Sequence, residues 1–297
     1  LIGNVSLNGN FMLNIGPRAN GDVPYEIEQR LLAMGKWLSV NGESIYESQA
    51  FELVKDQHDW GKITCKQHPD GRTSLFLHVY NWPLNHQLPL TGIKAAPEKA
   101  YLLADPQKKD LHFTSGDVYT LIQLPEDAPD PLVSVVVLEY DQYPSTEDGL
   151  VAQSVYGGYA LSPDRAVDQE GDTRIQPPAR RGTIPAHVEV SRKSRYVWRI
   201  FVDKPMTLQV DVSYSFQGEE GTGSISVSST PGKVQGILMP TRKVVGEPNS
   251  DWQIASFESH RLGQLQFTEA GRYEISMEID PRKNEEIGFQ WLWLGTE

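Results

Sequence analysis

The spacing of apolar positions divides the chain into stretches of different texture. Residues 10–15 (NFMLNI) are a short apolar run bounded by Gly9 and by Gly16-Pro17, and both length and flanks predict a buried strand. Downstream, Ile27, Leu31, Met34 and Leu38 recur at helical spacing and predict an amphipathic helix. Asp22 can cap that helix, Pro24 suits its first turn, and Glu26 and Glu28 favour the positive end of its dipole. Asn41-Gly42 ends it. Strand, loop and helix together make half of a βα repeat.

Past residue 50 the period changes from helical to two. In residues 74–80 (SLFLHVY) Leu75, Leu77 and Val79 alternate with Phe76, His78 and Tyr80, and residues 132–140 (LVSVVVLEY) read as a central strand. No helical period appears between residues 60 and 141, which predicts a compact antiparallel sandwich. Residues 142–150 (QYPSTEDGL) are polar with Pro and Gly and read as a linker. Beyond them Leu208, Val210, Val212 and Tyr214 share one face of a strand, Ile225 and Val227 another, and Tyr273, Ile275, Met277 and Ile279 a third. So clean an alternation predicts strands with one dry and one wet face, hence a second sandwich or jelly roll over residues 151–297.

A parallel strand with one helix cannot bury both its faces. Residues 1–50 therefore read as the last strand and helix of a larger α/β fold, with a (β/α)8 barrel the simplest parent. The expected class is mainly β: two antiparallel sandwiches, over residues 51–143 and 151–297, preceded by a βα remnant of a barrel. Such a remnant would expose apolar surface, an expected site of homo-oligomer formation.

Composition narrows the function. The 297 residues carry a formal net charge of −12, and mean hydropathy is −0.43. An acidic surface disfavours nucleic acid and anionic membrane and suits a neutral ligand such as a sugar. No stretch approaches the length of a membrane span. The single cysteine, Cys65, cannot form an internal disulfide and reads as a strand residue. No HExxH, paired CxxC or GxSxG motif is present, and no cofactor is expected.

Three groups of side chains carry candidate chemistry. Asp164, Asp168, Glu170 and Asp172 fall within nine residues. They read as a hydrated acidic loop neutralised by Arg165 and Arg174, with Ca²⁺ ligation as the alternative. Tyr156, Tyr159 and Trp252 lie in or near turns, where exposed rings could stack on the C–H faces of sugars. Trp291 and Trp293 share one face of the last strand and read as core fillers, with sugar stacking as the alternative. His78 reads as a packed sheet residue.

The opening residues also carry a resemblance. Residues 5–46 (VSLNGNFMLNIGPRANGDVPYEIEQRLLAMGKWLSVNGESIY) closely resemble the end of the catalytic barrel in family 29 glycoside hydrolases, the α-L-fucosidases. Gly9, Asn10, Asn14, Gly16, Pro17, Gly21, Pro24, Gly35, Trp37, Asn41, Gly42, Glu43, Ile45 and Tyr46 stand in matching places. The W-G-x-I-T and L-x-L-H-V-Y-x-W patterns, from Trp60 and Leu75 onward, fit the sandwich that follows that barrel. The resemblance implies a retaining glycosidase acting on fucosylated glycans, in the periplasm or outside the cell. It also implies that the catalytic Asp and Glu lie upstream, so that the chain alone is inactive and supplies no catalytic residue. Asn14 and Arg18, at the C-terminal end of the expected strand, are the polar groups with a geometric claim on substrate. The competing reading gives Asn14 to neighbouring backbone and Arg18 to solvent.

Overall fold

A computed structural model of the protein describes residues 1–53, 58–178, 184–242, 256–282 and 285–296. The chain divides into two compact units, Leu1–Asp148 and Gly149–Glu297.

The first unit opens with a short helix, α1 (Ile2–Val5), and a long one, α2 (Tyr25–Asn41), which runs into a 3-10 turn at Gly42–Ser44. Eight strands follow: β1 (Gln49–Ala50), β2 (Gly61–Gln67), β3 (Thr73–Val79), β4 (Gln87–Thr91), β5 (Lys99–Leu102), β6 (Phe113–Ser115), β7 (Tyr119–Gln123) and β8 (Ser134–Tyr140). They form an antiparallel sheet of order β1-β2-β3-β8-β5 and a second of order β4-β7-β6. Every residue of β3 is buried, so both its faces are covered. Phe76, Tyr101, Val135 and Val137 cluster on one of them, and Trp37 of α2 packs there. The indole N–H of Trp37 donates to the carbonyl of Val133 at 2.8 Å, pinning the helix to the edge of β8. By the pleat, Leu75, Leu77 and Val79 point to the opposite face.

Helix α2 matches the spacing argument, with Glu26 and Glu28 in its first turn. Pro24, rather than Asp22, is the N-cap, and no side chain caps the helix. Ile27, Leu31, Met34 and Leu38 are half-buried, while Leu32 and Val40 are exposed. Residues 10–15 differ from expectation. They form no strand, and Phe11, Met12 and Leu13 are 39%, 92% and 50% exposed. An apolar run becomes a strand only where another strand supplies its ladder, and no described strand pairs with it.

The second unit is a sandwich. Its strands are β9 (Leu150–Val151), β10 (Tyr159–Leu161), β11 (Asp168–Glu170), β12 (Ile175–Gln176), β13 (His187–Val190), β14 (Ser194–Val202), β15 (Met206–Phe216), β16 (Ser224–Ser229), β17 (Gly232–Ile237), β18 (Glu258–Phe267), β19 (Gly271–Asp280) and β20 (Ile287–Gly295). One sheet has the order β12-β13-β20-β15-β18, with β10 also on β20. The other has the order β11-β14-β19-β16-β17, with β9 parallel to β14. A single core joins them: Tyr196, Trp198, Ile200, Ile275 and Met277 from one sheet pack with Leu208, Val210, Val212, Tyr214, Phe289, Leu292 and Leu294 from the other. The alternating residues named from sequence on β15 and β16, and Ile275, Met277 and Ile279 on β19, are the dry face, as period two requires.

Candidate functional site

The motifs that carry the resemblance converge at one place in the first unit. Ser44, at the end of α2, donates its hydroxyl to the carbonyl of Asn41 at 2.6 Å. Thr64 on β2 donates to the carbonyl of Ser44 at 2.7 Å. The Thr64 oxygen also lies 2.9 Å from Nε2 of His78 on β3. A hydroxyl has one proton, so Thr64 accepts from His78, whose neutral ring then carries its hydrogen on Nε2. His78 is fully buried, Nδ1 has no hydrogen-bond partner, and burial pushes the ring pKa down to about 3. Gly61 makes this approach possible: a Cβ there would stand 1.7 Å from the His78 carbonyl oxygen. Trp60 is fully buried and donates to the carbonyl of Pro89 at 2.8 Å. Helix end, W-G-x-I-T strand and L-H-V-Y strand are thus one hydrogen-bonded assembly. A neutral histidine in a dry sheet is structural rather than catalytic. Cys65, on β2, is equally inert, its thiol pushed up to about 11 by burial.

Asn14 and Arg18 lie in the segment before α2, both exposed. Around them a turn closes through Arg18 N–H to the Asp22 carbonyl at 2.8 Å and Gly21 N–H to the Arg18 carbonyl at 2.9 Å. A cavity of about 400 Å³, lined by neither Asn14 nor Arg18, lies between α1, the Arg30–Met34–Trp37 side of α2, Tyr80 and Leu132. Its lining is apolar but for Arg30 and Tyr80 and contains no carboxylate, so it cannot perform general acid–base chemistry on a glycoside.

The four acids do not converge on a metal. Asp168 and Glu170 project from β11 onto one guanidinium, that of Arg195, at 2.6 and 3.0 Å. Asp172 accepts from Ser191 N–H at 2.8 Å, Ser191 hydroxyl at 3.0 Å and Arg192 at 3.1 Å. Burial pushes Asp172 upward, but the Ser191 bonds and the Arg192 charge outweigh it and hold the carboxyl below its usual range. Asp164 sits apart, in a 3-10 turn at Pro163–Arg165. Arg195 engages Asp168 and Glu170, and Arg192 engages Asp172; neither arginine is singled out by the sequence. No group of three or more His, Cys, Asp or Glu among the described residues is placed to hold a metal ion.

The aromatic expectations separate. Tyr159 is fully buried on β10 and donates to the Phe201 carbonyl at 2.7 Å, so it is a core residue and offers no face to a ligand. Tyr156, three residues earlier, is 69% exposed in a turn. Trp252 lies outside the described residues. Trp291 and Trp293 are not core fillers: Phe289, Leu292 and Leu294 take the core face of β20, and both tryptophans stand partly buried on the other. Facing them across the sheet are Ser213 and Asp211 of β15. Asp211 accepts both arms of Arg261 from β18, at 3.0 and 3.2 Å, and Ser213 donates to Oε1 of Gln290 at 2.8 Å. These polar residues carry no signal in sequence, because the Asp211–Arg261 pair spans 50 positions and exists only through strand register.

Residues 1–43 match the model of the family described as α-L-fucosidase. The chain is 38% identical over 135 residues to the tissue α-L-fucosidase of Macaca fascicularis, covering 43% of this chain and 27% of that relative. It is 40% identical over 99 residues to the tissue α-L-fucosidase of Homo sapiens, covering 31% of this chain and 20% of the relative. The chain thus spans about a quarter of the length of the curated relatives it matches. Among solved structures, the α-L-fucosidase from Vibrio sp. aligns with 100% of this chain and 50% of its own, with a TM-score of 0.60 and 21% identity, a likeness of fold across both units.

Proposed function

We propose that this chain, which belongs with the α-L-fucosidases by the sequence of its first 43 residues, is the C-terminal part of a retaining fucoside hydrolase. In such an enzyme one carboxylate attacks the anomeric carbon while a second carboxyl protonates the leaving oxygen, the two standing roughly 5 Å apart. The resemblance puts both on segments ahead of Leu1, so the chain by itself is inert toward fucosides. Its role is to close the barrel and brace it. Residues 10–15 take up a ladder with barrel strands, and Asn14 and Arg18 then reach the substrate hydroxyls from the strand end. The sandwich of residues 51–143 holds α2 through Trp37 and the Ser44–Thr64–His78 chain. The substrates are fucosylated glycans.

One observation carries the reading: the family match falls on residues 1–43, the same residues that run from an unpaired apolar segment into the helix bonded to the first sandwich. The test is an assay of p-nitrophenyl α-L-fucoside with the 297-residue chain and with the protein extended upstream through its own reading frame. Release by the extended protein and none by the chain is expected. An extended protein that is inert toward fucosides, or that lacks an upstream carboxylate pair, would sink the proposal.

A further inference from the structure

We propose that the outer face of the β20–β15–β18 sheet binds a neutral oligosaccharide, with Trp291 and Trp293 as the stacking platform and the Asp211–Arg261 pair as the group that orients the hydroxyls. Side chains that turn away from a sandwich core normally become polar, because that face meets water. Here two indoles occupy it in alternation, while Phe289, Leu292 and Leu294 already fill the core side of the same strand. The tryptophans are therefore not needed for core packing. Trp293 lies close over Gly295: a Cβ at Gly295 would stand 2.3 Å from the indole nitrogen. Glycine there lets the ring approach the backbone instead of standing away from it.

Beside the rings the polar groups are bonded to one another in pairs. Asp211 and Arg261 form a two-armed pair, with the Asp211 side chain 16% exposed and that of Arg261 61% exposed. Ser213 and Gln290 are joined next to Trp291. A bulge between Ser213 and Tyr214 adds Gln290 to the outer row. Aromatic rings flanked by fixed hydrogen-bonding groups fit a molecule with one C–H face and a rim of hydroxyls. The ion pair neutralises itself, and the chain carries net charge −12, so an anionic ligand is disfavoured and an uncharged glycan is selected. The turn bearing exposed Tyr156 adjoins the same strand end: a Cβ at Gly157 would meet the Thr296 hydroxyl at 2.5 Å, and one at Gly158 the Leu294 carbonyl at 2.0 Å. Tyr156 therefore lies in a turn beside the C-terminal end of the strand that carries the tryptophans. Binding here needs no catalytic residue and deepens the fucosidase reading only by supplying the glycan class.

The 297-residue chain is titrated by calorimetry and tryptophan fluorescence with fucosyllactose, lactose, xylohexaose and cellohexaose, alongside W291A, W293A, D211N and R261Q. Arg199→Gln, on the exposed face of β14 in the opposite sheet, is the control. Expected is saturable binding of at least one of these neutral sugars, weakened roughly tenfold by either tryptophan change and by D211N, and unchanged by R199Q. Circular dichroism melts separate lost binding from lost folding, and D211N and R261Q keep the shape of the site should a tryptophan variant unfold. No binding by any of the four sugars, or binding that survives W293A and D211N in folded protein, overturns the proposal. Either result is independent of whether the extended protein releases fucose.

Discussion

Nε2 of His78 stands 2.9 Å from the Thr64 hydroxyl, and that hydroxyl is itself committed to the carbonyl of Ser44. The ring is thereby fixed as a neutral donor at the junction of helix and sheet. Protonating it would place a charge in a dry site, which is why burial pushes its pKa down to about 3. The unfolded chain binds a proton near the ordinary histidine value of about 6.5, whereas the folded chain does not until about 3. Stability is thus undiminished above that ordinary value and falls as pH drops through the interval, by up to roughly 1.4 kcal/mol per pH unit from this residue. Urea unfolding at pH 7.5, 6 and 5 should show that loss, and His78→Gln should flatten it. Equal slopes in the two proteins would contradict it.

Thr64→Val removes the middle of the relay while keeping the side-chain volume. It leaves the Ser44 carbonyl and the His78 N–H buried without partners, a loss of about 2–4 kcal/mol. Chemical denaturation of the first unit measures it, and a change below about 0.5 kcal/mol would mean that the relay is not structural.

Gly61→Ala tests the same junction from the backbone. The new Cβ would stand 1.7 Å from the His78 carbonyl oxygen, so β2 and β3 must separate there. The expected loss is about 3 kcal/mol or more, seen as a lower melting temperature of the first unit. A melting curve that superimposes on the parent chain's would show that the strands can yield.

Much of the fold was legible from apolar spacing. The stripe Ile27–Leu31–Met34–Leu38 marks α2, and period two marks β3, β8, β15, β16 and β19, because helix and strand each repeat a side-chain direction at a fixed interval. Residues 10–15 are a different case: their apolar character is visible, but a strand is a property of two segments and its partner must be supplied. Trp291 and Trp293 show a second limit. Every residue from Trp291 to Leu294 is apolar, so alternation is present but does not reveal which face is dry; the packing of Phe289, Leu292 and Leu294 decides it. Tyr156 and Tyr159 look alike in sequence, yet the Gly157-Gly158 turn between them leaves one in solvent and takes the other into β10. The acids of residues 164–172 are visible as a cluster, but the arginines that engage Asp168, Glu170 and Asp172 come from 20 to 27 positions further on and are placed by strand pairing.

Because Asp168, Glu170 and Asp172 are already bonded to Arg195, Ser191 and Arg192, divalent metal should have no purchase on them. Melting temperatures in millimolar Ca²⁺ and in EDTA should coincide. A calcium-dependent rise would indicate a site that binds the folded state.

Met12, at 92% exposure, touches almost nothing. Met12→Ser should alter the stability of this chain by no more than about 0.5 kcal/mol. In the extended protein, where residues 10–15 are proposed to enter a barrel, the same change should lose about 2 kcal/mol or more. Equal effects in the two contexts would count against a buried role for this segment.

The most direct measurement is fucose release from a synthetic α-L-fucoside, made in parallel on the 297-residue chain and on the protein carrying its upstream sequence. The expected result is turnover by the longer protein, abolished by removing its nucleophilic carboxylate, with none by the chain. Turnover by the chain itself would contradict the placing of the catalytic carboxylates ahead of Leu1, and silence from a folded longer protein would contradict the enzyme.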